Sequence, residues 1–84
     1  MYTVTWTQNA LDDLTSCWLR SDAETRERIT NAMVLVDRHL RANAPRLGES
    51  RADDDRVMFA DPLGIEFHVS ELDRLVTVTH AWTF

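Results

Sequence analysis

The sequence predicts an α+β domain, a β-α-α-β-β-β chain whose antiparallel sheet carries a helical hairpin on one face. Two changes of hydrophobic period point to it. Residues 2–6, "YTVTW", alternate at period two, the stretch up to residue 43 repeats at helical spacing, and from residue 56 the period returns to two. Two helices can cover only one face of a sheet, so the other face must meet solvent or a partner.

The first strand sets Tyr2, Val4 and Trp6 against Thr3 and Thr5. Thr7 is a suitable N-cap, and Leu11, Leu14 and Trp18 follow at helical spacing beside Ala10 and Cys17, predicting a helix over about 8–20. In "SDAE", Ser21 and Glu24 make an S-x-x-E capping box, and Asp22 adds negative charge where the helix dipole favours it. Ile29, Met33, Val36 and Leu40, with Ala32, then form one apolar stripe, and Pro45 and Gly48 stop this second helix near residue 43. So short a connection makes the two helices an antiparallel hairpin. "RVMFA" (56–60), "GIEFHV" (64–69) and "RLVTVTHAW" (74–82) are strands separated by the turns "DPLG" and "SELD", which gives a three-stranded antiparallel meander.

Alternation assigns the faces. Val57, Phe59, Ile65, Phe67, Val69, Val76 and Val78 are expected to face the helices, with Arg56, Met58, Glu66, His68, Leu75, Thr77 and Thr79 facing away. Setting Phe59 opposite Ile65 and Phe67 opposite Val76 places Arg56 across from His68 and Glu66 across from Thr77. The open face then gathers a cation, an imidazole and a carboxylate.

Composition limits the function. Eighty-four residues, 44% apolar and 27% charged, make one folded domain spanning 1–84. One cysteine, Cys17, cannot form an internal disulfide and reads as core. The start lacks a signal-peptide pattern, and no apolar run approaches the ~20 residues of a membrane helix, so a cytoplasmic protein is expected. The net charge is −5, and all the cations are arginine, which argues against strong autonomous binding to nucleic acid.

The stretch "GESRADDDRVMF" (48–59) poses the sharpest functional question. Arg51 could contact a phosphate, or pin the loop by bonding a carboxylate such as Glu49. Asp53, Asp54 and Asp55 could hold a divalent cation, but no ligand spacing of a known kind accompanies them, so neither metal nor cofactor is expected. Arg56 and His68 are the candidate catalytic pair: the imidazole to move a proton, the guanidinium to stabilise a phosphorane. The competing reading is a cross-strand polar pair on a solvated face. His80, on the alternation of Val76, Val78 and Trp82, is expected at the core edge, and His39 at the surface. Trp82 and Phe84 either cover the end of the core or offer an aromatic contact to a partner.

Taken together, "YTVTWTQNALDDL", the helix ending "LVDRHLRANAPRLGES", the hairpin "RVMFADPLGIEFHV" and the closing "DRLVTVTHAW" resemble the RelE/ParE superfamily of toxins from type II toxin–antitoxin systems, over essentially the whole chain. The resemblance implies the fold derived above, and a small antitoxin protein that wraps and neutralises the toxin. It also implies one of two targets, ribosome-bound mRNA cut by an endonuclease or DNA gyrase that is inhibited. In the RelE branch an arginine at the start of the third strand takes part in RNA cleavage; "LG", Leu63-Gly64, stands there instead. The family's later arginine and tail tyrosine have no counterpart up to Phe84. The alternative is a non-catalytic interaction module, or a degenerate toxin kept for complex formation.

Overall fold

The computed structural model describes residues 1–50 and 55–84, so Arg51, Asp53 and Asp54 of the acidic loop lie outside the described residues. The chain runs β1 (Thr3–Trp6), α1 (Gln8–Leu19), α2 (Ala23–Asn43), a 3₁₀ turn (Ala44–Arg46), β2 (Glu49–Ser50), β3 (Asp55–Ala60), β4 (Leu63–Ser70) and β5 (Leu75–Thr83). In the sheet the strand order is β1-β5-β4-β3-β2. The predicted order of elements holds, with two additions. The two-residue β2 extends the edge beside β3, and β1 lies parallel to β5, so the sheet expected to be antiparallel is mixed. β3 and β5 both run antiparallel to β4 through short turns, whereas no turn joins β1 to β5 and turn chemistry cannot reveal their pairing.

Local chemistry sets the helix ends. Thr7 caps α1, its hydroxyl accepting from the Ala10 N–H. α2 opens one residue later than the capping box predicts. Asp22 is the N-cap, accepting from the Thr25 N–H at 2.8 Å, while the Ser21 hydroxyl turns back and donates to the Cys17 carbonyl at 2.7 Å. Ser21 therefore closes α1 and is not available to open α2. The Thr25 backbone N–H is the main reason the Asp22 carboxyl is held below its usual range.

After α2, Gly48 turns the chain at φ 66°, a left-handed conformation that costs glycine little. A Cβ there would lie 2.1 Å from the Val57 carbonyl oxygen, so glycine also permits the backbone approach of β2 to β3. Arg56 fastens this corner: its guanidinium donates to the Leu47 and Gly48 carbonyls and to the Ser50 hydroxyl.

β3 departs from its expected register. Its turn into β4 is only Asp61–Pro62, and Ala60 already pairs with Leu63. Met58, not Phe59, therefore lies opposite Ile65, and Arg56 lies opposite Phe67. A slip of one residue moves every side chain of a strand to the other face. Met58 packs on the core, whereas Phe59 is exposed and Val57 is buried outside the main core cluster. β4 keeps its predicted faces: Ile65, Phe67 and Val69 point to the helices, and Glu66 and His68 away.

The core forms between that face and the hairpin. Leu63, Ile65, Phe67, Val76 and Val78 meet Ala10, Ala32, Val36 and Leu40, and Ile29 is also fully buried, whereas Met33 is only partly covered. Tyr2 closes one end: its N–H donates to the Arg41 carbonyl and its hydroxyl to Glu71. The Glu71 hydrogen bond is the first reason that phenol titrates above its usual value.

Phe67 is the largest of the fully buried side chains. Phe67→Ala is expected to cost roughly 3 to 5 kcal/mol in urea denaturation, a large share of the stability of so small a domain. A loss under about 1 kcal/mol would show that the core is assigned to the wrong face.

A second expectation concerns pH. Asp22→Ala should lower Tm at neutral pH by removing the cap of α2. The folded-state carboxyl titrates below its unfolded value, so its stabilisation is present above the unfolded value and is lost as pH falls through the folded one. The Tm gap between the two proteins should close on acidification; a gap that stays constant would rule out the cap as its origin.

Candidate functional site

Register builds the open face as three cross-strand rows: Asp55–His68–Thr77, then Val57–Glu66–His80, then Phe59–Gly64–Trp82. The last two depend on an irregularity in β5. Glu66 pairs with His80 but Phe67 pairs with Val78, so Thr79 is an extra residue, a β-bulge. The bulge inverts the alternation of β5 beyond Val78. His80 and Trp82, expected on the alternation of Val76 and Val78, stand on the open face, and Ala81 takes the buried position. His80 is accordingly an exposed residue, not a core-edge one.

Two imidazoles sit among three carboxylates. His68 Nδ1 lies 3.0 Å from Asp55 Oδ1, a hydrogen bond between half-exposed side chains. Among the described residues its other ring nitrogen has no hydrogen-bond partner, and the carboxylate orients the ring. His80 stands between two acids, with Nδ1 3.6 Å from Asp13 and Nε2 3.9 Å from Glu66. Both separations exceed hydrogen-bond length, so these contacts are electrostatic. The Thr79 hydroxyl is within reach of the Glu66 carbonyl and carboxylate, at 3.2 and 3.3 Å. Asp13 arrives from α1 because β1 is too short to cover the end of β5, and its carboxylate accepts the Ala81 N–H there. Among the described residues no group of three or more metal-ligating side chains is placed to hold a cation.

The third row is aromatic. A Cβ on Gly64 would fall 2.5 Å from the Trp82 indole, so the ring occupies the space into which a side chain at position 64 would grow. Phe59 meets Trp82 edge-on at 6.0 Å and Phe84 edge-on at 5.5 Å.

Of the residues expected to act together, His68 is on the open face and Arg56 is not. Arg56 stands in the row of Phe67 and Val78, on the side of the sheet that carries the helices, and all three of its nitrogens are engaged at the Gly48 corner. Arg51 lies outside the described residues. Asp55 replaces Arg56 as the cross-strand neighbour of His68. The sequence hid His80 and Asp13 from the site: the first is placed by a bulge without a sequence signature, the second by the way α1 crosses β5. The unusual Gly64 inside a strand is the signal that could have revealed the Trp82 contact.

The hairpin presents a different surface. α1 buries Ala10 and Cys17, which leaves Leu11, Trp18 and Leu19 exposed, and Val34 and Leu35 are exposed on α2. A groove of about 250 Å³ lined by Leu14, Thr15, Trp18 and Met33 lies between the helices. Met33 also borders a second groove with Trp6, Val34 and Asp37.

The chain has the fold of the RelE/ParE-like toxins. A chain of the chromosomal ParDE toxin–antitoxin system from P. aeruginosa superposes with a TM-score of 0.74 at 18% identity, over 99% of this chain and 96% of that one. The YoeB/ParE toxin from Agrobacterium tumefaciens gives 0.60 at 20% identity, covering 100% and 99%. A chain of the intact E. coli RelBE toxin–antitoxin complex gives 0.59 at 17%, covering 100% and 98%. At these identities the likeness is one of fold. No family model and no curated protein sequence matches the chain.

The Gly64–Trp82 fit is open to direct test. Gly64→Ala should displace the indole and cost about 1–3 kcal/mol, the usual range for overfilling a packed site. In the Trp82→Ala background the same change should cost at least about 0.5 kcal/mol less, since neighbours in contact are not additive. Additive losses in urea denaturation would disprove the steric pairing.

Proposed function

We propose that this chain is the toxin component of a type II toxin–antitoxin pair, and that it acts by binding a protein target, DNA gyrase, and not by cleaving RNA. The reading rests on the RelE/ParE-like fold, and the observation that carries its mechanism is the filled space over Gly64. Where the RelE branch carries an arginine, this chain has no side chain and an indole lies across the position. The neighbouring rows support the same choice. Among the described residues they hold Asp55 and Glu66, with Asp13 at the margin, and no arginine, so a phosphate backbone would approach carboxylates.

Neutralisation falls to the helical hairpin. The apolar grooves around Met33 suit a partner segment that orders on binding and inserts apolar anchors between α1 and α2. This partner is the antitoxin, and it leaves the opposite face of the sheet uncovered.

A second reading is favoured by one observation, the His68–Asp55 hydrogen bond. An oriented imidazole on an open face can serve as a proton-transfer group for ribosome-bound mRNA. On that reading His68→Ala lowers cleavage at least about a hundredfold. Arg56→Ala then acts only by loosening the Gly48 corner.

Induction of the protein alone should arrest growth, and the purified protein should inhibit gyrase supercoiling while leaving ribosome-bound mRNA intact. Site-specific cleavage abolished by His68→Ala would replace this reading with the second. Absence of any growth effect would leave a non-catalytic interaction module. Trp18→Ala with Met33→Ala should weaken binding of the antitoxin encoded beside it at least about tenfold, the scale of buried aromatic anchors. Unchanged affinity would remove the hairpin as its docking surface.

A further inference from the structure

The aromatic corner of the open face is held in place yet poorly covered. Phe59 is 57% exposed and Phe84 66% exposed. They are nonetheless fixed edge-on to one another, with Trp82 against Phe59. The Phe84 N–H donates to the Pro62 carbonyl at 3.2 Å, which sets its ring beside the β3–β4 turn. The next row along the sheet places Glu66 beside this corner. Asp55 and Asp13 continue the negative charge across the face.

Rings and carboxylates in this order select for charge. The faces of Trp and Phe attract cations, and Glu66 adds a full negative charge within the same neighbourhood. Single-stranded nucleic acid could stack on the rings, but its phosphates would then meet the acidic rows. A wholly apolar segment would shut the Glu66 charge away from water with only the Thr79 hydroxyl and the His80 ring beside it.

We infer that Phe59, Trp82 and Phe84, with Glu66, form a docking surface for a protein segment that carries an arginine or lysine among apolar side chains. The cation lies against the aromatic rings within reach of Glu66, and the flanking apolar groups cover Phe59 and Phe84. The inference rests on the reading that the open face meets a protein target, and it gives that contact a chemistry.

The test is an NMR titration of the isotope-labelled full chain with three probes. These are a capped peptide alternating leucine and arginine, the same peptide with glutamate for arginine, and a single-stranded RNA oligonucleotide. The arginine peptide should shift the Trp82 indole N–H and the amides of Phe59, Gly64, Glu66 and Phe84. Glu66→Gln, and separately Phe59→Ala with Phe84→Ala, should each weaken it at least about threefold, the scale of an exposed cation–π contact, with the rest of the spectrum unchanged. No shift at millimolar arginine peptide, or equal or larger shifts with the glutamate peptide or the RNA, would overturn the inference.

The gyrase assay separates this inference from the function it rests on. If the Phe59→Ala, Phe84→Ala variant loses the peptide but still inhibits supercoiling, the target contact lies elsewhere; the inference falls and the toxin reading stands. If the wild type binds the peptide at this corner but does not inhibit gyrase, the target assignment falls and the surface stands.

Discussion

The pairing of Ala60 with Leu63 across the Asp61–Pro62 turn decides which side of the sheet every β3 residue occupies. A turn longer by one residue would place Phe59 in the core and Arg56 beside His68. With the two-residue turn, Met58 packs under the helices, Phe59 stands in solvent, and Asp55 becomes the partner of His68. Side chains alternate strictly along a strand, so one register is enough to convert a cationic surface into an acidic and aromatic one.

The Thr79 bulge has a comparable effect on β5. Without the extra residue His80 would point to the core and Ala81 to solvent, at the cost of burying an imidazole. With it, the buried position opposite Ile65 falls to Ala81, and His80 joins Glu66 on the open face. The same inversion carries Trp82 over Gly64, where the absence of a side chain leaves room for the indole. The acidic rows and the aromatic row are thus consequences of two backbone events, one turn and one bulge.

Two chemically different surfaces result, on opposite sides of the sheet. The hairpin side is apolar because α1 buries its small residues, Ala10 and Cys17, and leaves Leu11, Trp18 and Leu19 outward. The open side combines exposed aromatic rings with carboxylates. On the reading proposed above, one partner is held on the helices while the sheet addresses another, and the two contacts make different chemical demands.

The sequence by itself determined what depends on local spacing. The positions of the helices, the Thr7 cap, the strand limits to within a few residues, and the burial of Ile29, Val36 and Phe67 follow from periodicity and capping chemistry. His68 on the open face followed too, because β4 itself alternates without interruption, the bulge lying in β5. Tertiary structure alone decided the rest. The parallel pairing of β1 with β5 joins segments far apart in the chain, which no turn motif encodes. The site's composition depended on the β3 register and on the bulge, where the competing arrangements differ by one residue and are separated by packing, not by local propensity. Arg56 shows the consequence: its place in the chain was evident, but only the folded backbone shows its donors held by Leu47, Gly48 and Ser50 on the far side of the sheet from His68.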